Sequence, residues 1–315
     1  MPVKYRQSEI HRRILDLLGV SVKSVKSLDR WLFVNRGVEV ELPLSLRARP
    51  DDELIFSSKV YLEESPRYRW IFKASISGGG IIKIDGKIHQ GLDPWHSVTF
   101  IPHGEHEIEI QATSRALFGE SPWVFSFNYS LASMVNWRGI SLGLGMLETL
   151  RASRILGGSV GDEILQILSK ALEPIDSVPG IAQIAAVEMI FRDLGEPLAS
   201  RWDRGYIASV YGPGVLRGLL RNTPDPGDQD VDRAIDEAYK IFVDGLEELV
   251  KRYPKEGEIV ALGHCHIDLA WLWPYSETRR KVVRSFANVL RLMRDGHSFS
   301  YVQSSAHPQI GRAHV

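Results

Sequence analysis

The chain has 315 residues, enough for two or three domains with a sizeable core, and at 44% hydrophobic and 24% charged it has an ordinary globular composition. Its 38 lysines and arginines balance 39 aspartates and glutamates, which excludes a global field favouring nucleic acid or an anionic membrane. No apolar run reaches the roughly 18 residues of a membrane span, and the single cysteine, Cys265, cannot form an internal disulfide, so a cytoplasmic location is expected.

Residues 1–26 carry Ile10, Ile14, Leu17 and Leu18 at helical spacing, interrupted by Arg12, Arg13 and Asp16, as in an amphipathic helix rather than a secretory signal. Residues 27–131 read as β. Val38 to Leu42 alternates strictly, which predicts one buried and one wet face. Further strands are expected around residues 31–34, 59–62, 69–75, 81–84, 97–101, 106–112 and 123–129, with a type I′ hairpin turn at Asp85-Gly86. Many short strands separated by turns suggest a jelly-roll-like β-sandwich. Gly78-Gly79-Gly80 lies between two of them and lacks the strand-to-helix context of a phosphate loop.

Residues 132–256 switch to helical periodicity, with breaks expected at Gly157-Gly158, at Pro179-Gly180 and over Asn222 to Asp228. The last helix of this bridge has an apolar stripe of Ile235, Ala238, Ile241, Phe242, Leu246 and Leu249, with Asp228 or Asp230 as N-cap. Residues 257–309 then read as a strand over Glu258 to Gly263 buried on both faces, a loop, and a helix from Pro274 or Ser276 to Gly296. Its expected stripe is Val282, Phe286, Val289, Leu290 and Met293, and a second strand spans Phe299 to Ser304. Strand, helix, strand is the opening of a parallel β/α barrel, and one such unit cannot close, so a truncated barrel is expected. Ile310 to Val315 fits none of these elements and coincides with one reading frame of a widely used sequencing adapter. A non-native tail is expected there.

The chemistry concentrates in Gly263-His264-Cys265-His266-Ile267-Asp268-Leu269-Ala270-Trp271-Leu272-Trp273-Pro274. In extended chain, residues two apart share a side, so His264, His266 and Asp268 face one way while Cys265 and Ile267 face the other. Two imidazoles and a carboxylate at the end of a strand suit a divalent metal with an open position, although a hydrogen-bonded histidine pair meets the same spacing. Cys265 reads as a small buried hydrophobe. His89, His96, His103 and His106 cluster in sequence without a repeated ligand spacing, and Trp31, Trp70, Trp95 and Trp123 read mainly as packing residues.

This motif, followed by Glu277 and Arg280 and by Tyr301-Val302-Gln303-Ser304-Ser305-Ala306, resembles the opening of the catalytic domain of glycoside hydrolase family 38, the α-mannosidases, in their cytosolic-type branch. Upstream, Ile84 to Lys87, Gly91 to Asp93 and Leu117 to Gly119 resemble the β domain that precedes it there. The resemblance implies one Zn2+ held by His266 and Asp268, with His264 not a ligand, and Trp271 lining the subsite of the cleaved sugar. It implies hydrolysis with retention of terminal α-mannosidic bonds in oligosaccharides, through a carboxylate nucleophile and an acid/base. Those two groups and the remaining ligands would lie beyond residue 315, so an inactive fragment is expected. Neither nucleic acid nor membrane is an expected partner, and a homo-oligomer is compatible with the sequence. Two other readings stand beside it: an amidohydrolase-type site that activates water on its metal, and a non-catalytic carbohydrate-binding module on the β region.

Overall fold

The computed structural model describes residues 7–94, 96–115, 119–120, 122–176, 229–254, 257–296 and 299–303. The chain divides into two compact units, one of Met1–Lys26, Ser65–Ile71 and Ser133–Glu258, the other of Ser27–Glu64, Phe72–Ala132 and Ile259–Val315.

The first unit is built on helices α1 (Gln7–Val20), α2 (Trp137–Leu156), α3 (Gly158–Ala171) and α4 (Gln229–Arg252), with strand β1 (Val22–Ser27) after α1. Apolar residues three and four apart give each helix one buried stripe. Ile10, Ile14 and Leu17 meet Leu142 and Met146, Ile164 and Leu168, and Ile235, Ala238 and Phe242 in a single core. The expected stripe of α4 is its buried face, with Ile241 and Leu246 at the margin. Asn136 caps α2 by accepting the Gly139 N–H at 3.2 Å. Helix α2 gives way to α3 at Gly157-Gly158, as expected, while the breaks expected at Pro179-Gly180 and over Asn222 to Asp228 lie outside the described residues.

A buried charge ties this unit together. The Asp232 carboxylate, in the first turn of α4, accepts from Tyr68 Oη at 2.5 Å and from Asn136 Nδ2 at 2.8 Å, and pairs with Lys23 Nζ at 3.0 Å. Its partners come from three separate stretches of chain, so one side chain holds helix, strand and connecting segment in place.

The second unit contains two larger sheets besides a two-stranded one. One has six antiparallel strands in the order β3 (Val38–Glu41), β2 (Arg30–Phe33), β5 (Leu54–Leu62), β10 (Gly104–Thr113), β7 (Gly79–Ile84), β8 (Lys87–Leu92). In the other, β6 (Arg69–Ile76) lies between β9 (Val98–Ile101) and β11 (Val124–Val135), and β4 (Leu44–Arg47) pairs antiparallel with β11. The sheets face each other across an aromatic core. Phe56 of β5 stacks on Phe33 of β2 at 5.0 Å and on Phe125 of β11 at 5.8 Å, and Trp31 meets Phe127 at 5.2 Å. The buried Trp31 indole donates to Leu28 O and Ser130 Oγ, which removes the cost of enclosing its N–H.

The β7–β8 hairpin turns at Asp85 (φ 51°) and Gly86 (φ 77°), the left-handed pair that a type I′ turn requires. Strands β1 and β4 were not anticipated from the sequence. The expected buried face of Val38 to Leu42 is also corrected: β3 is an edge strand, Val38 is exposed, and only Leu42, just past its end, is buried.

The C-terminal part of this unit is β12 (Leu262–Cys265), α5 (Tyr275–Arg294) and β13 (Ser300–Gln303), with β12 and β13 parallel from Leu262↔Ser300 to Cys265↔Gln303. The expected strand over Glu258 to Gly263 is displaced toward the motif. Ile259 and Val260 are 93% and 76% exposed, and the ladder begins only at Leu262. The expected stripe of α5 is corrected as well. Val282 is buried, but Leu290 and Met293 are exposed, and the face turned inward carries Glu277, Thr278, Lys281, Arg284 and Asn288. That face lies on β8, where Asn288 Oδ1 accepts the Gly91 N–H at 2.9 Å.

The helix approaches β8 so closely that a Cβ on Gly91 would stand 2.7 Å from Arg284 O and 2.9 Å from its Cα. Backbone cannot yield as a flexible side-chain tip can, so Gly91→Ala is expected to cost about 1–3 kcal/mol by overpacking. A urea midpoint unchanged from wild type would contradict this close contact.

Candidate metal centre

Strand β12 stops at Cys265, and the motif continues as an irregular turn before α5. Alternation persists through it: His264 and His266 are exposed, Cys265 is half-buried and Ile267 is buried. The buried Ile267 anchors the inner side, which leaves the histidines and Asp268 turned toward solvent.

His266 Nε2 lies 3.1 Å from Asp268 Oδ1. A carboxylate can only accept, so the imidazole N–H donates. Among the described residues, no group of three or more His, Cys, Asp or Glu side chains is placed to hold a metal ion. What the turn presents is two convergent donors, one nitrogen and one oxygen. His264 takes no part in this contact, and Cys265 lies on the other face, opposite Gln303 in the β12–β13 register. Burial pushes the Tyr301 phenol up to about 12, with the neighbouring Cys265 adding to the effect.

The backbone of the turn is held from α5. The Thr278 hydroxyl accepts the Trp273 indole N–H at 3.1 Å and is shared between the carbonyl oxygens of Leu269 and Asp268, the latter at 3.3 Å. Trp273 is buried, with Lys281 Nζ 4.1 Å from its ring centroid. Trp271 is 58% exposed and packs edge-on against Trp273, with centroids 5.3 Å apart and planes at 88°. An indole supported from one side leaves a face free for an apolar or sugar surface.

The histidines of the β region do not form a second centre. His89 bonds Phe100 O, His96 bonds Asp93, and His106 bonds Asp85, each on its own partner. Trp31 and Trp70 are buried, Trp123 is exposed, and Trp95 lies outside the described residues.

Residues 256–308 match the family model described as "Glycosyl hydrolases family 38 N-terminal domain". This segment belongs to glycoside hydrolase family 38. Relatives agree. An α-mannosidase of Saccharomyces cerevisiae is 37% identical over 98 residues, covering 29% of this chain and 9% of the relative. α-Mannosidase 2C1 of Mus musculus and of Homo sapiens are 50% and 52% identical over 48 residues, covering 15% of this chain and 5% of each relative. The chain spans under a tenth of the length of each of these α-mannosidases.

Within the family 38 segment, sequence reasoning singled out His266, Asp268 and Trp271 but passed over Thr278. Its signal was available only as a hydroxyl in the first turn of the following helix, ten residues from Asp268. Nothing in the spacing tells which carbonyls a threonine will meet.

Proposed function

We propose that the chain carries the opening of a zinc-dependent, retaining α-mannosidase acting on terminal α-mannosidic bonds of oligosaccharides. The observation behind this reading is the convergence of His266 and Asp268 on the exposed side of a turn that lies inside a family 38 segment. Their donor atoms are 3.1 Å apart. Two ligands at 2.0–2.2 Å from one tetrahedral ion would stand about 3.3 Å apart, so the pair fits zinc without a large movement. Histidine nitrogen and aspartate oxygen are donor types that zinc accepts.

His266 and Asp268 would hold the ion, and Trp271 would offer its exposed face to the sugar. Bound there, zinc would supply Lewis-acid interaction with sugar hydroxyls. The roles of this chain's residues are to bind and orient. Retaining hydrolysis also needs two carboxyl groups about 5–5.5 Å apart, and we assign neither to a residue of this chain. On this reading the β region is a jelly-roll-like sandwich, residues 132–256 a helical bridge, and residues 257–309 the first unit of a β/α barrel. The lone Cys265 favours a cytoplasmic protein, and the described helices include none long and apolar enough to cross a membrane.

The complete enzyme is expected to cleave an aryl α-mannoside and to lose that turnover in His266→Ala and in Asp268→Ala. Residues 1–315 alone are expected to show none. Full turnover in both variants would refute the assignment of these ligands.

A further inference from the structure

We infer that Thr278 is a positioning residue for the metal-binding turn, setting both the Asp268 carboxylate and the Trp271 indole from one buried hydroxyl; the inference rests on the proposed ligand pair.

Three observations meet at this side chain. Thr278 is buried, 1% exposed, in the first turn of α5, so its hydroxyl works out of competition with water. It bonds the backbone carbonyls on both sides of the Asp268–Leu269 junction, which holds the main chain that carries the proposed oxygen ligand. It also accepts the N–H of Trp273, whose ring supports Trp271 edge-on. A threonine hydroxyl has one proton and two lone pairs, enough to donate toward the carbonyls while accepting from the indole. The ligand turn is otherwise irregular chain, and irregular chain fixes a side chain only as well as its backbone is fixed.

Valine has the same shape without the hydroxyl, so Thr278→Val deletes the bonds and keeps the volume. Serine keeps the hydroxyl. Supporting residues of metal sites typically contribute about 10–100-fold in affinity, and a loss in that range is expected for Thr278→Val, with Thr278→Ser close to wild type.

The test is calorimetric titration of Zn2+ into the metal-free complete enzyme that carries this segment and into its Thr278→Val, Thr278→Ser and His266→Ala variants, with circular dichroism confirming that each is folded. Weakened binding in the valine variant and recovery in the serine variant support the inference. Wild-type affinity in Thr278→Val, with binding lost in His266→Ala, overturns it while sparing the ligands. A serine variant as weak as valine also overturns it, because the hydroxyl would then not be the determinant. Equal titrations in wild type and His266→Ala would remove the ligand pair itself, and the inference with it. Should the valine variant fail to fold, Thr278→Ala takes its place, with weakened binding supporting the inference and wild-type affinity overturning it.

Discussion

Glu277→Ala is expected to destabilise the second unit by about 3–5 kcal/mol, the range found when one member of a buried ion pair is removed. Glu277 is fully buried and accepts from Arg284 Nη2 at 2.7 Å. Arg280 Nε stands 3.5 Å from its other oxygen and reaches on to Asp51 at 3.6 Å, and Asp51 also pairs with Arg115 at 3.1 Å. Removing the carboxylate leaves Arg284, itself 4% exposed, inside the protein with no counter-charge. The cost is chiefly that stranded guanidinium rather than the value of the pair. A paired replacement, Glu277→Leu with Arg284→Met, is therefore expected to recover most of the loss, since apolar substitutes for a buried pair are often neutral or better. Urea unfolding of the single and double variants checks both statements. A single variant within about 1 kcal/mol of wild type would mean that water reaches Arg284.

Asp232→Ala is expected to cost a similar amount in the first unit, about 3–5 kcal/mol, by orphaning the buried Lys23 together with the hydroxyl of Tyr68 and the amide of Asn136. Burial alone would raise the Asp232 carboxyl. Hydrogen bonds from Tyr68, Lys23 and Asn136, with the Lys23 charge, outweigh it and hold the group below its usual value. The sign follows from linkage. A carboxyl whose folded value lies below its unfolded value, near 3.9, contributes stability that is fully present above that pH and is lost as pH falls toward the folded value. Wild type should therefore lose stability more steeply than Asp232→Asn below about pH 4. Parallel acid-denaturation curves for the two proteins would remove Asp232 from the explanation.

These two networks also mark where the sequence stopped being readable. Local signals carried well: the Asp85-Gly86 turn, the apolar stripe of α4, and the alternation that turns His266 and Asp268 outward depend on residues within a few positions of one another. Strand β1 was missed because Val22–Ser27 carries lysines and serines, and Lys23 becomes a buried residue only through Asp232, far along the chain. Strand β8 was implied by the Asp85-Gly86 hairpin turn, but the burial of its far end was not legible. Its Gln90 is buried because the amide donates to the carbonyls of His96 and Val98, contacts that no periodicity announces. In α5 the apolar residues do not mark the buried face, because a matched set of charges and an asparagine packs on β8 instead. In the candidate site, donor types and their common side were legible, and the support from Thr278 was not.

The six-stranded sheet ends on one side at β3, whose sequence is Val-Glu-Val-Glu and whose glutamates, Glu39 and Glu41, are both exposed. A strand from another molecule that sought to extend the sheet there would meet carboxylates along the rim, at every second residue. The opposite end is β8, against which α5 packs. One border thus carries like charge and the other lies against a helix, two devices by which a sheet discourages further strands from pairing with its edges.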